Sequence, residues 1–128
     1  MISPERLRAA ERAVTLHLIE RAEAQGWRIN IHDGERWWPT TERATLADLS
    51  PINERTLHFS DPAHRNRPQG YVVLVFGGIC LPEMLVDWPG KLETFMAPLL
   101  PQLDRLQRAL QLDDTTPVAD IAKEILSA

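Results

Sequence analysis

The sequence predicts an α+β fold. We expect a mostly antiparallel sheet of about five strands, an N-terminal helix, one inserted short helix, and a C-terminal helical segment packed on the sheet. Three observations predict it. Residues 4–24 place apolar side chains at helical spacing, residues 27–88 break into short β-branched and aromatic runs divided by turn residues, and residues 91–126 return to helical spacing. Within the longest charge-free run, Pro68 to Pro82, the stretch Gly70 to Phe76 closes on Gly77-Gly78 and reads as a central strand buried on both faces.

The 128 residues fit a single domain spanning 1–128. A domain of this size buries roughly two thirds of its unfolded surface, enough for a core without metal or disulfide staples. The formal net charge is −4, and from Pro68 onward eight acids face four bases, so the second half carries the whole excess. That balance argues against direct nucleic-acid binding along a long face, which needs clustered cations. Cys80 is the only cysteine, which excludes an internal disulfide and every paired-cysteine metal or redox motif. No stretch has the form of a signal peptide or a membrane span, so we expect a cytoplasmic protein with no membrane partner.

Ser3-Pro4-Glu5 is a helix start, with a capping hydroxyl, a proline for the first position and an acid at the positive end. Leu7, Ala10, Val14, Leu18 and Ala22 give the buried stripe, Leu16 and Ile19 widen it, and Gly26 ends the helix. Trp27, Ile29 and Ile31 then alternate with Arg28, Asn30 and His32, as in a strand with one wet face. Asp33-Gly34 predicts a tight hairpin turn into a return strand, Glu35 to Trp38, stopped by Pro39. Thr40 or Thr41 can cap the inserted helix, which carries Leu46, Ala47 and Leu49 and ends at Ser50-Pro51.

A third strand covers Thr56 to Phe59, and a polar loop from Ser60 to Gln69 leads antiparallel into Gly70 to Phe76. Glu83 to Trp88 reads as a last strand with an irregular start at Pro82. Lys91 to Leu100 is short and helical, interrupted by Pro98 and Pro101, and Leu103, Leu106, Ala109 and Leu110 continue the helical pattern. Asp113-Asp114 breaks it, and Thr116-Pro117 starts a final helix bearing Val118, Ile121, Ala122 and Ile125.

The segments Asp33 to Trp37, Thr40 to Leu49, Leu57 to Asp61 and Gly70 to Gly78, with Val86-Asp87-Trp88 after them, carry a resemblance. The chain resembles a group of short phage and prophage proteins built on an Asp-Gly-Glu-x-Trp strand-turn pattern. Arg36 stands where that group often has a second acid, and the C-terminal helices lie outside the pattern. The resemblance implies a mobile-element origin and a host-facing role. It supplies no catalytic residues.

The candidate chemistry is sparse. His32, Asp33 and Glu35 crowd one turn, but Asp-Gly is explained by turn geometry alone. His58, Asp61 and His64 come nearest to a metal or triad cluster, yet they lack the spacing of a zinc set. Cys80 sits between Ile79 and Leu81 and reads as a buried core thiol. Gly77-Gly78 lacks the residues of a phosphate loop and reads as a turn or bulge. The interface candidates are Trp37, Trp38, Arg65 and Arg67. Adjacent tryptophans on a strand face opposite ways, so a sheet covered on one side leaves one indole on its open face.

We therefore expect a non-catalytic protein without cofactor or metal, acting on a host protein or nucleoprotein complex, for example as an anti-CRISPR inhibitor of bacterial defence. The alternatives are a small hydrolase-type enzyme using His58, Asp61 and His64, with Glu35 as a further carboxylate, and a nucleic-acid-binding module using Arg28, Arg65 and Arg67. Homodimerisation through an open sheet face or edge is compatible with each.

Overall fold

The computed structural model describes residues 2–32, 37–39 and 54–127. The Asp33-Gly34 turn, Glu35 and the helix expected over Thr40 to Leu49 lie outside the described residues, as does the side chain of Trp38. What is described is α+β: helix α1 (Pro4–Ala24), strands β1 (Arg28–His32), β2 (Trp37–Pro39), β3 (Glu54–Asp61), β4 (Arg67–Val75) and β5 (Leu85–Asp87), then α2 (Glu93–Met96), α3 (Leu99–Leu112) and α4 (Val118–Leu126). The sheet is antiparallel in the order β2-β1-β3-β4-β5, and its two outer strands are only three residues long.

Helix α1 forms as its ends predict. Ser3 Oγ accepts from the Arg6 amide at 3.3 Å, Pro4 takes the first position, and Gly26 (φ +81°) receives the left-handed reversal after Gln25. Leu7, Ala10, Val14, Leu18, Ile19 and Ala22 enter one apolar cluster with Ile29, Ile31, Leu57, Phe59, Val72 and Leu74 from the sheet. Leu103, Leu106, Leu110, Ile121 and Leu126 from α3 and α4 complete it, so the helices share one side of the sheet.

Glu11 of α1, 1% exposed, joins helix to sheet. Its carboxylate meets Arg8 Nε at 2.7 Å and accepts from the Gly77 amide at 3.2 Å, while Arg8 donates to the Gly78 carbonyl at 2.7 Å. Gly77-Gly78 is thus a turn (Gly77 φ +90°) whose backbone is held by an ion pair on α1. Arg6, on the same end of α1, donates to the carbonyls of Asp113 and Thr116 at 2.6 and 2.8 Å and fastens the α3–α4 loop.

Several expectations are corrected. The run Gly70 to Phe76 is neither central nor buried on both faces: β3 holds the middle of the sheet, and only Val72, Leu74 and Phe76 are buried while Tyr71, Val73 and Val75 are half exposed. β-branched residues suit a pleated surface whether or not it is covered, which is why the run misleads. The polar loop is largely absorbed into longer strands, leaving a 3₁₀ turn at Pro62–His64 and two left-handed residues, Arg65 and Asn66. Pro82 starts a 3₁₀ turn, Leu81–Met84, that shortens β5 to Leu85–Asp87. Cys80 is half-buried and its neighbour Ile79 is 88% exposed, so it is not the buried core thiol expected. Pro98 separates α2 from α3, but Pro101 lies in the first turn of α3, where its missing N–H removes no helical bond. Thr116 does not cap α4. Asp113 organises that loop instead, accepting from the amides of Thr115 and Thr116 at 3.0 and 2.9 Å. No described helix is long and apolar enough to cross a membrane.

Candidate functional site

Strand alternation gives the sheet a second face, and among the described residues no helix of the shared core lies on it. The register sets its rows: Arg28 opposite Ser60, Asn30 opposite His58, His32 opposite Thr56, then His58 opposite Tyr71 and Thr56 opposite Val73. On the outer side His32 pairs with Trp37, and on the other Val73 pairs with Asp87. Four strands thereby bring aromatic and imidazole rings together. Trp37 packs edgewise on His32 and His58, with ring centroids 4.9 and 4.6 Å apart, and His58 is followed by Tyr71 at 6.2 Å. Tyr71 Oη lies 3.5 Å from the Asp87 carboxylate.

Trp37 keeps 55% of its surface exposed in spite of these contacts. Its ring is held in place by neighbours on two other strands and still presents apolar area outward. Partial burial lowers the pKa of His58, and the facing His32 lowers it further, so His58 favours the neutral imidazole. The surface is therefore rich in rings at its middle.

The second group lies at the end of the β3–β4 hairpin. Asp61 caps the Pro62–His64 turn through the Ala63 amide at 3.0 Å and accepts from His64 Nδ1 at 2.7 Å. The bond from His64, with the amide bonds, holds the Asp61 carboxyl below its ordinary pKa. Arg65 and Asn66 (φ +57° and +56°) reverse the chain into Arg67, which pairs with Asp61 in the register. Arg65 and Arg67 make no ion pair among the described residues. Arg28 pairs with Ser60 beside this turn, so cations far apart in sequence share one end of the sheet.

Of the interface candidates, Trp37 lies on the open face, while Arg65 and Arg67 lie at the hairpin end. His32 and Arg28 mark these two regions on β1, about 13 Å apart at the usual strand rise. Trp38 is opposite Ile31 in the register. The catalytic alternative is divided by the structure: His64 bonds Asp61, whereas His58 packs on Trp37 and Tyr71 and makes no contact with that pair. Among the described residues no group of three His, Cys, Asp or Glu side chains is placed to hold a metal ion. Sequence reasoning missed His32, His58 and Tyr71 as one surface. The two-residue period would have shown it once the register was known.

Compared with known proteins, the chain matches no family model, no curated protein and no solved structure.

Proposed function

We propose that this is a non-catalytic binding protein that docks its open sheet face on a host protein within a nucleoprotein complex, as a phage- or prophage-derived inhibitor of a bacterial defence system such as CRISPR would. The observation that carries the reading is Trp37, more than half exposed yet fixed between His32 and His58, with Tyr71 beyond. Rigid aromatic side chains give large contact area at small entropic cost, and tryptophan and tyrosine dominate interface energetics. The phage origin rests on the Asp-Gly-Glu-x-Trp resemblance. Against the hydrolase reading stands the separation of His58 from the Asp61–His64 pair.

The test is affinity capture from a bacterial lysate followed by binding with the purified partner. We expect one partner at near-equal amount, with affinity weakened about thirtyfold or more in Trp37→Ala, the scale of an interface hot spot. Leu112→Ala, at a residue 90% exposed on α3, leaves affinity unchanged. A partner held equally well by Trp37→Ala and Tyr71→Ala overturns the reading. So does light scattering that shows a homodimer dissociated by Trp37→Ala.

A further inference from the structure

The hairpin end of the sheet contains a polar cleft of about 350 Å³ lined by Asp61, His64, Arg67, Gln69 and Lys91. Arg67, Gln69 and Lys91 bring N–H donors to it, and the five residues come from three separate pieces of chain. We propose that this cleft binds a phosphate group, a site distinct from the ring surface around Trp37.

The cleft is assembled by packing at Gly70. A β-bulge between Phe59 and Ser60 leaves Gln69 unpaired between Pro68 and Gly70 in the register. Gly70 has φ +142°, and a Cβ placed on it would stand 2.8 Å from Leu92. Leu92 thus packs directly on the β4 backbone, which carries the Gly90–Leu92 turn over the hairpin and lets Lys91 Nζ donate to the Pro68 carbonyl at 3.0 Å. Lys91 is fixed beside Arg67 although 24 residues separate them.

The charges suit a multiply charged oxyanion. Arg67 offers a planar fork and forms no ion pair among the described residues. Lys91 adds a point charge whose one bond among the described residues is to a backbone carbonyl. The Asp61 carboxylate only accepts, so the proton of its 2.7 Å bond sits on His64 Nδ1, and Nε2 of the neutral ring is an acceptor to which a phosphate O–H can donate. Asp61 repels any anion, but two cations against one carboxylate leave the lining net positive, and a phosphate dianion feels about twice the net attraction of a carboxylate.

The test is an amide NMR titration at constant ionic strength with inorganic phosphate, repeated with a short oligothymidylate. We expect saturable shifts confined to residues 61–70 and 90–92, with Arg67→Ala and Lys91→Ala each weakening binding about tenfold or more. Arg105→Ala, an exposed cation on α3, changes nothing. Tighter binding of the oligothymidylate assigns the phosphate to a nucleic-acid strand, and tighter inorganic phosphate assigns it to a small phosphorylated compound. Shifts that never saturate overturn the proposal. So do shifts that persist in the Arg67→Gln, Lys91→Gln protein, which removes both charges but keeps polar side chains and leaves the remote spectrum as a check of folding. Loss of partner capture in Trp37→Ala with phosphate binding intact separates this site from the docking face.

Discussion

Glu11 shows what one residue contributes to this fold. Burial pushes its carboxyl pKa upward, while Arg8 and the Gly77 amide oppose the shift by favouring the ion. Glu11→Ala leaves the Gly77 N–H and the Arg8 guanidinium without their acceptor, and we predict a loss of about 1.5–3 kcal/mol in urea unfolding. Glu11→Gln, which keeps an acceptor for Gly77, loses less. The histidines set a pH dependence. Burial lowers the pKa of His17 and of His58, with Arg21 and His32 respectively as the next cause. Each group binds its proton more weakly in the folded chain than in the unfolded one. Their contribution to stability is therefore complete above the ordinary histidine pKa and is lost as pH falls through the lowered folded values. We predict that the unfolding midpoint declines between pH 7 and 5, and that His58→Gln flattens part of that decline. A midpoint that rises on acidification would contradict this assignment.

At the scale of elements, the β3–β4 hairpin and the turns around it are held by backbone conformations that side chains would disturb. Gly70→Ala places a Cβ against Leu92 at a φ of +142°, which L residues rarely adopt. We predict a cost of about 1–3 kcal/mol from overpacking, with NMR shifts concentrated at residues 89–92 and weaker phosphate binding in the cleft. Gly26 also has positive φ, but open space surrounds its Cβ position, so Gly26→Ala meets backbone strain without a clash. The helices were legible because their signals are local: Ser3 capping, Gly26 and the apolar stripe of α1 are in place. Element ends were less legible. Pro82 marked an irregular start but not a 3₁₀ turn, and Pro101 looked like an interruption although it falls where a helix lacks an internal N–H partner. Thr116 had the composition of a cap, but Pro117 takes the cap position without a side-chain bond, and Asp113 accepts from the loop amides of Thr115 and Thr116.

For the whole molecule, one buried cluster links α1, the sheet, α3 and α4. We predict a single cooperative unfolding transition in which tryptophan fluorescence and far-ultraviolet circular dichroism coincide. Two separated transitions would instead divide the chain into independent units. Trp37→Ala, by contrast, removes a ring that is 55% exposed, and we predict that it leaves that midpoint nearly unchanged while weakening the proposed docking. The sequence by itself determined the α+β class, the order of the described helices and strands, and the alternation that leaves Trp37 outside the core. These follow from periodicity and capping, which act over a few residues. Only the tertiary structure decided which strand is central, that His58 belongs with Trp37 and Tyr71 rather than with His64, and that Lys91 stands beside Arg67. Strand order, register and the packing of Leu92 on Gly70 depend on contacts between distant residues, and no local pattern encodes them.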